Sequence, residues 1–249
     1  MMQKVAILGA PVDGVTLEEA VERAAAFVRD GGPHQVLTLN PEYLYRALRE
    51  PHLMEIVRRA SLVTADGVGI VWAARVLGRH VPERVTGIDL MTALAARAAR
   101  ERWRVFLLGA SPGVADAAAA KLAARFPGFR VAGTHHGYFA PEDEPELLQK
   151  IKAARPDILF VALGAPKQEV WIAQNLDALR VPVVMGVGGS FDVLAGRVRR
   201  APAVLRRLHL EWLGRLLYEP RRWRRMLVLP KFVWIVLVAC LRGFLCRRK

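Results

Sequence analysis

The stretch VFLLGASPGVADAAAAKLAARF, residues 105–126, changes its period in the middle. Val105 to Gly109 is a short β-rich apolar run that stops on glycine, whereas Val114 to Phe126 is Ala- and Leu-rich with helical periodicity. A strand that turns directly into a helix is half of a crossover unit, and the same alternation recurs along the chain. Apolar runs at Val5 to Gly9, Gln35 to Asn40, Ser61 to Asp66, Asp157 to Gly164 and Pro182 to Gly186 end in Gly, Asn or Asp. Helical segments such as Leu17 to Arg29 and Leu90 to Arg102 lie between them. Parallel strands joined by crossover helices are therefore expected, giving an α/β body over residues 1–196. No internal repeat or low-complexity linker interrupts it.

Composition narrows the class. The 249 residues are 53% hydrophobic and 24% charged, which excludes disordered and fibrous chains. Cys240 and Cys246 are the only thiols, so neither a disulfide framework nor a cysteine-rich zinc module can form. The apolar run from Val5 to Ala10 is too brief for a signal peptide, and nothing in it directs export.

The net charge of +14 is unevenly placed. Residues 197–249 hold fifteen Lys and Arg against Glu211 and Glu219, while the first 196 residues are almost neutral. The basic appendage thus implies a polyanionic partner, either nucleic acid or an anionic membrane surface. Met226 to Cys246 is interrupted only by Lys231 and Arg242, and its longest uncharged run, Phe232 to Leu241, is ten residues. That is about half of the roughly 20 a spanning helix needs, so contact with the membrane interface is expected rather than passage through it. The plain alternative is a helix packed on the body with solvated arginines. Nucleic acid ranks behind both, because the apolar content exceeds what base stacking requires. Trp212, Trp223 and Trp234 recur at a helical spacing, but Pro220 and Pro230 interrupt the helix such a stripe needs.

In an open parallel sheet the ligand crevice lies beyond the carboxyl ends of the strands, so polar residues just after each apolar run are candidates. These include Thr38, Asn40, Asp66, Ser111, Lys167, Gln168, Ser190 and Asp192. Asp66 in Thr64-Ala-Asp-Gly67 is either a general base or a turn and cap residue. Gly109-Ala-Ser-Pro-Gly113 either faces an anion or makes a tight turn. The turn Gly186-Val-Gly188-Gly-Ser-Phe-Asp192 lets a ligand approach the backbone with an acid nearby for ribose hydroxyls, and Arg84 offers a guanidinium for a diphosphate. Together they point to a nucleotide-diphosphate ligand. The first loop, Gly9 to Thr16, lacks the lysine of a P-loop, and no G-x-G-x-x-G follows a strand. The six histidines show no H-x-x-x-H spacing and there is no D-x-D pair, so no metal or other cofactor is expected.

Thr38-Leu-Asn40-Pro, Ala65-Asp66-Gly67, Arg84-Val-Thr-Gly87-Ile-Asp89, Gly137-Tyr-Phe139, Gly164-Ala-Pro-Lys-Gln168-Glu169, the Gly186 to Asp192 turn and Leu210 to Arg222 carry a resemblance. Taken in order they resemble the WecG/TagA/CpsF family of bacterial glycosyltransferases. The resemblance implies a Rossmann-like body that transfers a sugar, with inversion, from a UDP-sugar donor to a polyprenyl-diphosphate-linked acceptor. The reaction would take place at the cytoplasmic membrane face. In the teichoic-acid branch the sugar is N-acetylmannosamine and the acceptor GlcNAc-diphospho-undecaprenol. It further implies that Asp66 is the base, that Thr38, Asn40, Arg84 and Gln168 line the sugar and diphosphate, and that Asp192 lies at the nucleoside. Arg215, Arg222 and Arg225 of the appendage would help hold the diphosphate, without a metal. Docking of the appendage would compete with self-association of the core into a homo-oligomer. The apolar segment that follows Pro230 and ends at Lys249 is not fixed by the family pattern, and its reading rests on composition. Other donors, such as glucose, glucuronic acid or N-acetylmannosaminuronic acid, are alternatives, as is a nucleotide- or nucleic-acid-binding protein without catalysis.

Overall fold

Five of the six apolar runs become strands of one parallel sheet, and the sixth does not. The computed structural model describes residues 4–198, 201–202, 205 and 226–246. Its elements are β1 (Lys4–Ile7), β2 (Ala10–Asp13), α1 (Leu17–Asp30), β3 (His34–Leu39), α2 (Pro41–Ala47), α3 (Pro51–Arg59), β4 (Leu62–Ala65), α4 (Val68–Val76), α5 (Gly87–Glu101) and β5 (Arg104–Gly109). They continue with α6 (Val114–Arg125), β6 (Arg130–His135), α7 (Glu144–Ala154), β7 (Ile158–Ala162), α8 (Lys167–Leu179), β8 (Val183–Gly186), α9 (Ser190–Leu194) and, last, α10 (Val228–Cys246).

The main sheet runs β4-β3-β8-β7-β5-β6, and every neighbouring pair is parallel. Side chains alternate between its faces, as the pleat requires. Val105, Leu107, Ile158, Phe160, Val183 and Met185 pack against α1, α5, α6 and α9. Phe106, Leu108, Leu159, Val161 and Val184 pack against α7 and α8. On that second side, Leu37, Leu39, Val63 and Ala65 meet α2, α3, α4 and α10. The Rossmann-like α/β expectation holds, with a helical C-terminal segment.

Two expectations need correction. The run from Val5 to Gly9 supplies β1, but β1 pairs antiparallel with β2 in a separate hairpin. Leu8 and Gly9 both have positive φ, 51° and 85°, as a two-residue hairpin turn demands, and so short a link cannot make the crossover that parallel strands need. The segment considered beside a phosphate loop is thus β2. Strand β6 has no counterpart among the expected strands, because RVAGTH lacks a continuous apolar run. Gly133 is needed there, since a Cβ would lie 2.6 Å from the Phe106 ring.

Local signals set the helix starts. Thr16 caps α1 through a reciprocal capping box with Glu19, the Glu19 N–H donating to Thr16 Oγ1 at 3.2 Å. Pro230 lies in the first turn of α10, where its missing N–H costs no helical bond, so it starts the helix rather than breaking it. One side of α10 is buried: Phe232 and Val236 enter the cluster formed with α2 and α4. The Cys240 thiol donates to the Val76 carbonyl at 3.3 Å. The packed-helix alternative is therefore realised for this side of the segment.

Phe232→Ala removes a buried ring and should cost about 3–5 kcal/mol of local stability. Hydrogen exchange should rise across residues 228–246 while the amides of β5 and β7 stay protected. An equal rise in both places would show that α10 is not a separable layer.

Candidate active site

Adjacent strands β3 and β8 send their next helices to opposite faces of the sheet. Helix α2 packs with α3, α4 and α10, whereas Phe191 of α9 packs with α1, α5 and α6. Such a divergence leaves a crevice at the carboxyl ends of the strands. A cavity of about 580 Å³ opens there, a size suited to a small ligand.

Five separate stretches bring seven of the expected residues into its wall: Thr38 and Asn40 within or after β3, Asp66 after β4, Arg84 before α5, Gln168 in α8, and Gly188 and Ser190 after β8. Phe232 and Val233 of α10 also line it. The N-termini of α4, α5 and α8 reach the wall through Gly67 and Val68, Thr86 and Gly87, and Gln168. The amino ends of helices carry partial positive charge, so together with Arg84 they favour an anion, although the Gly87 N–H already donates to Asp66 and the Gln168 N–H to the Gly164 carbonyl.

Thr38, Asp66 and Gly87 meet at one point of the wall. The Asp66 N–H donates to the Leu39 carbonyl at 2.8 Å, which locks the residue onto the end of the sheet. Its Oδ2 accepts from the Gly87 N–H at 3.3 Å. A Cβ on Gly87 would lie 3.2 Å from Thr38 Oγ1 and 3.8 Å from Asp66 Oδ2, so glycine keeps this corner open. Asp66 is half-buried, neither sealed in the core nor fully in solvent. Asn40 caps α2, its Oδ1 accepting from the Tyr43 N–H at 2.9 Å. The segment bearing Arg84 is pinned to β4 by the Val85 N–H, which donates to the Ala65 carbonyl at 3.0 Å.

Gln168 is buried, and its Oε1 accepts from the Gly188 N–H at 2.9 Å while its Nε2 donates to Glu169 Oε1 at 2.7 Å. Burial pushes the Glu169 carboxyl above the ordinary carboxylate range, against the opposing effect of the Gln168 hydrogen bond. Tyr43 also lines the cavity, and burial first, then the nearby Glu169 charge, raises its phenol above the usual value. Sequence reasoning misses both Glu169 and Tyr43 as wall residues. A glutamate in the first turn of a helix ordinarily faces solvent near the helix dipole, and only the packing of α8 against the sheet buries this one.

Other expected residues lie elsewhere. Asp192 is in α9 between Ser190 and Val193, which do line the cavity, but it is not itself part of the wall. Gly109 is also outside the wall: it has φ +127°, and a Cβ would lie 2.5 Å from the Ala162 backbone, so close approach of β5 to β7 accounts for it. Arg215, Arg222 and Arg225 fall outside the described residues.

Comparison with known proteins adds a separate line of support. The chain matches the model described as "Glycosyl transferase WecG/TagA/CpsF family" over residues 5–244. It is similar to a Bacillus spizizenii protein named N-acetylglucosaminyldiphosphoundecaprenol N-acetyl-beta-D-mannosaminyltransferase, at 40% identity over 202 residues, covering 81% of this chain and 78% of that protein. A Staphylococcus aureus protein of the same name is 37% identical over 233 residues, covering 93% and 91%.

The carboxamide of Gln168 lies against Gly186, where a Cβ would meet Nε2 at 2.6 Å and Cδ at 3.0 Å. Gly186→Ala should therefore displace the amide from its two partners, at a cost of about 1–3 kcal/mol in urea unfolding. In a Gln168→Ala background the same substitution should cost almost nothing. Equal costs in both backgrounds would mean that the glycine serves something other than this amide.

Proposed function

This chain belongs to the WecG/TagA/CpsF family of glycosyltransferases, and from that premise we propose that it transfers N-acetylmannosamine from UDP-N-acetylmannosamine to GlcNAc-diphospho-undecaprenol. The observation that carries the site assignment is the gathering of Thr38, Asn40, Asp66, Arg84, Gln168 and Gly188 around one cavity. In this reading the Asp66 carboxylate takes the proton of the acceptor hydroxyl as that oxygen attacks the anomeric carbon. The new C–O bond forms on the face opposite the diphosphate, the bond to the β-phosphate oxygen breaks, and UDP leaves with the electron pair. Configuration inverts.

Charge grows on the departing diphosphate, so donors aimed at that position lower the barrier. Arg84 and the amide ends of α4, α5 and α8 supply them in this reading, which has no D-x-D pair to draw on. Thr38, Asn40 and Gln168 hold the sugar and phosphates, with Gly188 allowing close backbone approach. The family resemblance adds Asp192 at the nucleoside and Arg215, Arg222 and Arg225 at the phosphates.

A polyprenyl-linked acceptor places the reaction beside a membrane, and α10 suits a peripheral position on its cytoplasmic face. Among the described residues no helix is long and apolar enough to cross a membrane. Yet Trp234, Leu237 and Leu241, spaced three and four residues apart on α10, are exposed, the first by 68% and the last by 64%. Lys231 and Arg242 are exposed near them, and each basic residue near an anionic leaflet adds about 1 kcal/mol. The reading is thus a helix with one side in the core and the other in the interface.

Asp66→Asn should lower kcat for UDP release by about 10²- to 10⁴-fold, with thermal stability close to wild type. Wild-type turnover in this variant would remove Asp66 as the base. Trp234→Glu with Leu241→Glu should abolish sedimentation with vesicles containing phosphatidylglycerol and leave the fold intact. Undiminished vesicle binding would assign the membrane contact to another surface.

A further inference from the structure

Gln168 is a wall residue whose side chain has two possible settings. A carboxamide turned by 180° exchanges its oxygen for its nitrogen, and the two settings offer a ligand opposite hydrogen-bonding patterns. Here each end has a partner of its own. The Gly188 N–H can only donate, and it meets Oε1 at 2.9 Å. Glu169 Oε1 accepts from Nε2 at 2.7 Å. The turned setting would place the amide nitrogen against the Gly188 N–H, and β8 leaves no room to move aside because the amide already rests on Gly186.

Glu169 is itself costly to keep. It is 5% exposed, and its Oε2 makes no hydrogen bond among the described residues. The backbone beneath it is held as well, since Gln35 Nε2 of β3 donates to the Glu169 carbonyl at 3.4 Å. An apolar side chain would fill the same space without the desolvation cost, so a carboxyl here calls for a reason other than packing.

We propose that Glu169 is a positioning residue that fixes the amide setting of Gln168 and thereby the way the sugar diphosphate is held, an inference that rests on the glycosyltransferase reading above. After its two protein contacts Gln168 retains one N–H and one lone pair. With Glu169 in place these present a single pattern to the ligand. Without it only the Gly188 N–H opposes the turned setting, and the pattern of donor and acceptor that substrate meets at that point is less strictly fixed.

A double-mutant cycle tests this, using UDP release from UDP-N-acetylmannosamine with a lipid-diphosphate-GlcNAc analogue, and thermal unfolding as the control. Glu169→Leu should reduce kcat/KM by about tenfold or more, whereas Glu169→Gln, whose amide oxygen still accepts from Gln168, should stay within about threefold of wild type. In the Gln168→Ala background Glu169→Leu should cost less than about twofold. Equal losses in both backgrounds, or a Glu169→Gln variant as impaired as Glu169→Leu, would overturn the proposal. If Glu169→Leu fails to fold, Glu169→Met takes its place in the same cycle. Full turnover in Gln168→Ala alone would overturn the assignment of Gln168 itself, a separate failure that also removes the basis of the coupling.

Discussion

Parallel pairing between β3 and β8 is the constraint from which the site follows. Once His34, Gln35 and Val36 lie in register with Val183, Val184 and Met185, the chain leaving each strand must find its own face of the sheet. Helix α2 goes one way and α9 the other. The gap between them is bounded by backbone that cannot close it, and neighbouring β4 and β7 deliver Asp66 and Gln168 to its sides. Site geometry in this molecule is a product of strand order before it is a product of any side chain.

Small residues then decide how closely the walls approach. Gly69 allows the start of α4 to pass the Pro41 ring, which a Cβ would meet at 2.6 Å, and Phe232 of α10 lies just beyond. Gly87 opens the corner shared by Thr38 and Asp66, and Gly186 gives the Gln168 amide its seat. Each is a place where packing density and ligand access compete. Helix α10 takes part in this as well, because Phe232 belongs both to the buried cluster and to the cavity wall.

The parallel sheet is legible in the sequence because buried strands such as Val105 to Gly109 and Ile158 to Ala162 read as continuous apolar runs. Asp66 and Gln168 are legible because residues that follow strand ends must converge in such a sheet, and Arg84, in the connection between α4 and α5, is legible only as a cation suited to a diphosphate. The hairpin partner β2 and the edge strand β6 are not, since APVD and RVAGTH carry no clear alternation and owe their pairing to neighbours outside themselves. Glu169 is hidden for a related reason: its neighbour Gln168 announces a site, but burial of a helix-start glutamate is a tertiary fact. Gly109 reads two ways in sequence, because a glycine that admits a phosphate and one that admits another strand look alike in one dimension.

The hairpin at the amino end does more than complete the core. Asp13 of β2 accepts the Val63 N–H of β4 through Oδ2 at 2.8 Å, so a carboxylate occupies a donor that an incoming strand would use. At the opposite margin β6 pairs with β5 across a register shift between Val105 and Phe106, and it begins with an exposed arginine. A donor already taken at one margin and a bulged, arginine-led strand at the other are both features that discourage pairing with an incoming strand. Wherever copies of this chain crowd together, edge-to-edge stacking is thereby disfavoured, and contacts between them are directed to helical faces instead.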